Sequence, residues 1–390
     1  MPIGPASILR LIGLDRSSPA PGVSTARGTT SSPSTDHPEP VNWALAERVA
    51  IRLSGTEPLA ASYHAQSLVP DFDELTARAE TLVAAETGLT PPSAARARVV
   101  DRPGWIRANI GSFRRLLRPL TDSLAARMAS AGPMADVTRN VAALEVGFLL
   151  GWMSGRVLGQ YDLLVVDDDD LDHQDVVSYV GPNVLALEKR FQFPPQEFRL
   201  WLALHETTHR AQFTGVPWMR EHYLGLVEST LGAVEPDPRR LLDALRRAVE
   251  AVGAGRNPLD DGGLVALFAG PEQRLALDRI GGLMSLLEGH GDITMDRAGA
   301  GQVPSADRFA RTLRQRRRQA TGVARIVQQV VGIEAKLAQY EAGERFIEAV
   351  EAAAGAGAVD AAWVAPDRLP SLGEIRDPMS WIERLGLGRT

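Results

Sequence analysis

The chain of 390 residues contains no cysteine, and lysine occurs only at Lys189 and Lys336. Without cysteine there is no disulfide framework and no zinc site built from thiolates, so any zinc ion must be bound by histidine and carboxylate side chains. The absence of cysteine also suits a reducing compartment, and we expect a cytoplasmic protein. Because the net charge is -6, the sequence does not predict binding to nucleic acid or to an anionic membrane.

Long apolar runs are absent as well. The nearest candidate is Val137 to Gln160, in which glycines recur every four residues, but only ten uncharged residues separate Glu145 from Arg156. A membrane-spanning helix needs about 20 apolar residues, so the sequence excludes a span here. The glycine face instead predicts a helix that packs closely against another helix in a buried core.

Most of the chain carries the periodicity of helices. Residues 1–40 are the exception, because Ser17 to Pro40 consist largely of serine, threonine, proline and glycine and predict a disordered tail. From residue 41 to residue 390 we expect one catalytic domain, which could comprise two subdomains with a metal site between them. The predicted helices are Trp43–Leu53, Asp71–Thr87, Trp105–Ala129, Val137–Gln160, Arg239–Val252, Leu277–Met295 and a long run over Asp307–Ala354.

The pattern H-E-x-x-H occurs once, at His205, Glu206 and His209. Prolines precede this segment, and Phe198 and Trp201 share a helical face with both histidines, which predicts a helix with a buried stripe. On a helix the spacing of four brings the two imidazoles onto one face, where they can share a metal ion. The glutamate lies about 100° further round and can reach a water molecule beside the metal. This layout is typical of a zinc hydrolase; the alternative is a chance match between core histidines.

A third zinc ligand is needed, and the residues leave two candidates. The metzincin pattern is excluded, because Gln212 and Gly215 stand where it requires glycine and histidine. Glu228 follows His209 after eighteen residues, which is a spacing used in one aminopeptidase family. Glu288 is favoured by local chemistry, since it extends an apolar helical stripe where a carboxylate would be buried at high cost unless a metal ion paired with it.

Several residues could support such a site. Asp292 lies one turn after Glu288 and could accept a hydrogen bond from the free ring nitrogen of a ligating histidine, and His290 is a second candidate for a supporting role. His290, His222 and Tyr223 are candidate donors to the substrate oxyanion, although His290 points away from Glu288 on an ideal helix. We expect four glycines to let this helix approach the histidine helix closely: Gly281, Gly282, Gly289 and Gly291.

Strand signal is sparse. The clearest strands are Asp162–Val166 and Val176–Val180, which predict a hairpin directly before the histidine helix. This hairpin could bind an extended substrate by strand addition, or it could be purely structural. The predicted fold class is therefore mainly α, within the α+β group, with a small β-hairpin or sheet beside the helix of the active site.

Four segments resemble the zincin-like hydrolases of actinobacteria that are associated with biosynthesis of the deazaflavin coenzyme. They are Gly147–Asp162, Tyr179–Val184, His205–Trp218 and Leu286–Asp296. The resemblance covers the chain from about Val41 to its end. It implies a mostly helical zincin-like metallohydrolase whose metal ligands are His205, His209 and Glu288. It also implies that Glu206 is the catalytic glutamate, and it names no established substrate.

Together these features predict a zinc-dependent hydrolase, most simply a metallopeptidase of gluzincin type that acts on a peptide. Zn²⁺ would be held by His205, His209 and Glu288, and Glu206 would act as general base. One alternative is a binding or scaffold protein that keeps zinc only for stability. Another is an amidase that acts on a small molecule in coenzyme biosynthesis. The sequence makes no prediction of the oligomeric state.

Overall fold

The computed structural model describes residues 39–117, 133–163, 175–232, 270–318 and 333–388. Residues within these ranges form two compact units, one from the chain up to Glu57 together with Arg102–Arg156, and a larger one from Pro58–Asp101 together with Val157 onward. In the described part of the chain, no helix combines the length and the apolar composition that a membrane crossing requires. The predicted tail of residues 1–40 lies almost entirely outside the described residues.

The described elements are mostly helical, with one small sheet. The helices are α1 (Trp43–Leu53), α2 (Tyr63–Thr87), α3 (Arg102–Leu116), α4 (Pro133–Ser154), α5 (Gly181–Phe191), α6 (Pro195–Thr214), α7 (Met219–Gly232), α8 (Pro271–Ala298), α9 (Ala306–Arg318), α10 (Ile333–Ala354), α11 (Leu372–Arg376) and α12 (Pro378–Leu385). The strands are β1 (Arg96–Val100), β2 (Gly159–Tyr161) and β3 (Val176–Val180), and short 3-10 helices occupy Ala358–Trp363 and Pro366–Arg368. The predicted mainly α fold class is confirmed.

The smaller unit contains α1, α3 and α4, and its packing depends on two glycines of α4. A Cβ atom at Gly147 would lie 2.7 Å from the carbonyl oxygen of Ala46, and one at Gly151 would lie 2.8 Å from that of Ala50. Only residues without a side chain let α4 come this close to α1. The glycine face therefore packs against a helix, as the sequence predicted.

The larger unit contains a sheet with the strand order β1-β3-β2. Strand β3 is buried on both faces. It pairs in parallel with β1 and in antiparallel fashion with β2. A continuous apolar run such as Val-Val-Ser-Tyr-Val suits a central strand of this kind. Strand β2 is left at the edge of the sheet, beside α6.

Helix α6 is central to the larger unit, and most of its side chains are buried. Two of them are arginines in two-bond ion pairs: Arg199 with Glu188, at 2.8 and 2.9 Å, and Arg210 with Asp175, at 2.8 and 2.6 Å. Arg210 also reaches Glu80. A buried guanidinium is tolerated because such partners satisfy its charge and its donors. These pairs hold α6 near both ends and fix its rotation about the helix axis.

Several helix boundaries differ from the sequence predictions. Helix α2 begins eight residues earlier than predicted and includes Pro70, and α4 ends at Ser154, so the predicted helix to Gln160 was too long. Helices α5, α7, α11 and α12 were not predicted. The predicted helix Arg239–Val252 lies outside the described residues, as do the end of the helix predicted to reach Ala129 and residues 319–332 of the long C-terminal run.

The sheet was predicted only in part. Strand β3 has the predicted bounds and, as predicted, pairs in antiparallel fashion with the preceding strand, but that strand is Gly159–Tyr161, whereas the predicted one began at Asp162. Asp162 follows the strand, and residues 164–166 lie outside the described part of the chain. Strand β1 was missed, because it pairs with a strand some eighty residues away and its own sequence is only five residues long.

Candidate metal centre

Two helices bring the predicted ligands together. His205 and His209 lie on one face of α6, with ring centroids 4.6 Å apart, as the spacing of four dictates. Glu288 extends from α8, is buried, and places Oε2 3.5 Å from Nε2 of His209. One donor atom from each of the three residues lies within 4.8 Å of the other two. All three residues belong to the larger unit.

The donor set has the chemistry of a zinc site. Two imidazole nitrogens and one carboxylate oxygen are the protein ligands of many catalytic zinc ions, which keep a fourth position for water or substrate. The electrostatics agree with this assignment. Burial lowers the pKa of His209, but the hydrogen bond and charge of Glu288 outweigh burial and raise it to about 9. The carboxylate of Glu288 therefore favours positive charge beside Nε2 of His209, as a zinc ligand set requires.

Glu228 does not join this group. It lies on α7 and is exposed to solvent, and among the described residues the metal-competent group contains Glu288 as its carboxylate. The fold therefore distinguishes the two candidate glutamates: Glu288 lies beside the histidines, and Glu228 does not.

Glu206 is buried on α6 and lies against the edge strand. Its Oε2 accepts a hydrogen bond from the backbone N–H of Tyr161, at 3.0 Å. The contact is possible because β2 has glycine at position 159, where a Cβ atom would lie 2.5 Å from Oε1 of Glu206. The sequence predicts a water molecule beside the metal as the partner of this carboxylate. The structure adds a second partner, the backbone N–H of Tyr161. The catalytic role of Glu206 stays a prediction.

The predicted supporting residues occupy different places. Asp292 forms a side-chain hydrogen bond with Glu344 of α10, and burial together with Glu344 raises the pKa of Asp292 to about 7. The ring of His209 is held instead by Gln212, whose Oε1 lies 2.9 Å from Nδ1. His290 is buried and bonds to the other end of the same amide, at 3.0 Å. Sequence analysis missed Gln212, although its position three residues after His209 places it on a neighbouring part of the helix face.

The glycines of α8 lie at three interfaces. A Cβ atom at Gly291 would lie 3.4 Å from Cε1 of His209, so this glycine does face the histidine helix. The other three do not, contrary to the prediction. Gly281 and Gly282 lie against the segment from Pro370 to Leu372, and Gly289 lies against Gly343 of α10.

The candidate oxyanion donors other than His290 lie on α7. The ring of His222 meets Trp218 edge to face, with centroids 5.9 Å apart, and Tyr223 meets Phe213 in the same way at 5.6 Å. Burial raises the pKa of Tyr223, so its hydroxyl keeps its proton at neutral pH and could donate. Its role toward a substrate stays a prediction.

Comparison with known proteins agrees with this arrangement. The sequence matches the profile of one protein family, the zincin-like metallopeptidases, over residues 41–382. The chain belongs to this family. It is also similar to a crystal structure from Chloroflexus aurantiacus described as a "putative hydrolase with a novel fold", with 31% sequence identity and a TM-score of 0.65. The match covers 89% of this chain and 99% of that chain. A search among curated proteins finds no match.

Membership of the zincin-like metallopeptidase family supports a metal-dependent hydrolase, and zinc is the usual metal of such proteins. The predicted links to actinobacteria and to deazaflavin biosynthesis stay predictions, as does the cytoplasmic location.

Proposed function

We propose that this chain is a zinc-dependent hydrolase of gluzincin type. His205, His209 and Glu288 are the zinc ligands in this proposal, and Glu206 is the general base. The observation that carries it is the convergence of two imidazoles and one carboxylate, from two separate helices, within 4.8 Å. Membership of the zincin-like metallopeptidase family, and similarity to the Chloroflexus aurantiacus protein described as a hydrolase, support the same reaction class.

Each residue then has a defined task. A bound zinc ion lowers the pKa of water and polarises a substrate carbonyl. Glu206 accepts a proton from the attacking water and passes it to the leaving amine. Its hydrogen bond from the backbone of Tyr161 fixes the orientation of the carboxylate, because it ties the side chain to the sheet. Glu288 places Oε2 3.5 Å from Nε2 of His209 and would supply the negative charge of the ligand set.

A peptide is the leading substrate class, because β2 is an edge strand beside α6 and edge strands bind peptides by strand addition. One observation favours a smaller amide as a second candidate. Tyr161 pairs with Val177 at a position where its N–H points away from β3, and Glu206 already accepts a hydrogen bond from it. A three-residue edge with one outer donor engaged offers few main-chain bonds to a long peptide.

The decisive variant is Glu206→Gln. The amide oxygen can still accept the hydrogen bond from Tyr161, so we expect the variant to fold and to bind zinc. It should lose turnover, because an amide cannot accept a proton from water. Glu197→Gln is a matched control, since Glu197 is on the same helix and also accepts a backbone N–H, that of Ser305 at 2.8 Å. This control should keep both zinc and turnover.

The assay is zinc analysis of each protein, followed by incubation with a peptide library and with small amides. Wild-type protein that holds no zinc after reconstitution would overturn the proposal. Turnover by Glu206→Gln at the wild-type rate would remove Glu206 from the mechanism. If Glu206→Gln unfolds or loses zinc while Glu197→Gln does not, Glu206 is structural and a zinc-stabilised scaffold becomes the better description.

A further inference from the structure

Gln212 is completely buried between α6 and α8. All the hydrogen-bonding groups of its amide are engaged. Oε1 lies 2.9 Å from Nδ1 of His209, and Nε2 donates to the carbonyl oxygen of Leu287, at 2.9 Å. Nε2 also lies 3.0 Å from Nδ1 of His290. One side chain therefore touches a ligand on α6 and the backbone directly before the ligand on α8.

These contacts fix which way the amide points. A backbone carbonyl oxygen can only accept, so the nitrogen of the Gln212 amide must face Leu287. The amide oxygen then faces His209, and an amide oxygen can only accept as well. The hydrogen of the His209 ring is therefore held on Nδ1.

The position of that hydrogen decides which ring atom can bind a metal. With the hydrogen on Nδ1, the lone pair of the neutral ring is on Nε2. Nε2 is also the atom that faces Glu288, at 3.5 Å from its Oε2. The second amide hydrogen of Gln212 points to His290, and Nδ1 of the His290 ring accepts it. This bond completes the set of hydrogen bonds around the amide.

We propose that Gln212 is a positioning residue for the metal site. It holds His209 in the tautomer that presents Nε2 to the metal, and it ties α6 to the segment of α8 that carries Glu288. The inference rests on the proposed zinc site. In many zinc proteins a carboxylate or a backbone carbonyl holds the ligating histidine in this way, and loss of that partner weakens metal binding by about 10 to 100-fold.

The test compares Gln212→Leu with Gln212→Glu. Leucine removes every hydrogen bond, whereas glutamate keeps an acceptor for Nδ1 of His209. Thr208→Val is the matched control, because Thr208 is also fully buried on α6 and its hydroxyl donates to the carbonyl of Leu204 in its own helix. Two quantities are measured: zinc affinity by competition with a chelator, and the NMR signal of the Nδ1 hydrogen of His209, which a buried bond protects from exchange.

Gln212→Leu should bind zinc about 10 to 100-fold more weakly than wild type and lose the protected Nδ1 signal. Gln212→Glu should keep the signal and bind zinc more tightly than Gln212→Leu, and Thr208→Val should match wild type in both. The inference is overturned if Gln212→Leu behaves like Thr208→Val. If Gln212→Leu does not fold, Gln212→Glu decides: a protected signal supports the inference, and its loss in a folded protein overturns it.

The NMR signal also separates this inference from the proposed function. The Nδ1 hydrogen should be protected in the metal-free protein as well, because the bond to Gln212 does not require a metal. Wild-type protein that shows this signal but binds no zinc would contradict the zinc hydrolase and leave the bond intact. Wild-type protein that binds zinc without the signal would contradict the role of Gln212.

Discussion

The crossing of α8 and α10 depends on two glycines, and Gly343→Ala tests how tightly it is packed. A Cβ atom at Gly343 would lie 1.9 Å from the carbonyl oxygen of Ser285 and 3.1 Å from Cα of Gly289. Both neighbours are backbone atoms and cannot rotate away. Since non-bonded heavy atoms keep about 3.5 Å, the substitution must push the two helices apart by about 1.6 Å along this contact.

The expected cost follows from two opposing effects. Overpacking of a tight interior, which forces side chains and backbone to shift, costs about 1 to 3 kcal/mol. Replacing glycine by alanine inside a helix contributes about 1 kcal/mol in the other direction. Because the overlap is with backbone atoms, the upper end of the overpacking range applies, and Gly343→Ala should lower the free energy of unfolding by about 2 kcal/mol. Because Gly289 directly follows Glu288, the same displacement should also weaken zinc binding.

Gly225→Ala is the matched control for this prediction. Gly225 is inside α7, and a Cβ atom there would meet nothing within 4 Å. This variant should be more stable than wild type by up to about 1 kcal/mol. Denaturant unfolding of the metal-free proteins, followed by circular dichroism, measures both variants. Gly343→Ala that is as stable as wild type, or stabilised like Gly225→Ala, would show that the crossing is not as close as described.

Three further outcomes are expected. Glu288→Ala should reduce zinc affinity, measured with a competing chelator, by far more than the about 10 to 100-fold expected for a supporting residue, whereas Glu228→Ala should leave it unchanged; the reverse ranking would reassign the ligand. Burial and a neighbouring carboxyl raise the pKa of Asp292 to about 7, against about 4 in an unfolded chain, so its contribution to stability falls as the pH rises from about 4 to about 7. Asp292→Asn should therefore gain stability relative to wild type between pH 4 and pH 8 in metal-free unfolding, and an equal difference at both pH values would contradict this. Arg199→Met leaves Glu188 buried without its partner and should cost about 3 to 5 kcal/mol in unfolding free energy, and the double variant with Glu188→Leu should recover most of the loss; no recovery would mean that the pair is not the cause.

The sequence could predict features that follow from local geometry. The spacing of His205 and His209 requires only that α6 be a helix, and the prolines and apolar stripe around it predict one. Glu288 could be singled out because a carboxylate on an apolar stripe needs a partner. The glycine repeat was interpreted correctly as a packing face, but α4 ends at Ser154, so its last two glycines, Gly155 and Gly159, lie outside the helix. Gly159 belongs to β2, where it makes room for Glu206, and no local pattern reveals that contact.

The supporting residues could not be assigned from the sequence, because their roles depend on which neighbour each face of α8 meets. Glu288 and Gly291 are three residues apart and face α6, where Gly291 lies against His209. Gly289 and Asp292 are also three residues apart, and they face α10, which approaches so closely that Asp292 bonds to its Glu344. A rotation of about 100° per residue separates the two faces. Asp292 is therefore one turn from the third ligand and yet bonds to a different helix, and the place predicted for it behind His209 is taken by Gln212 from α6 itself.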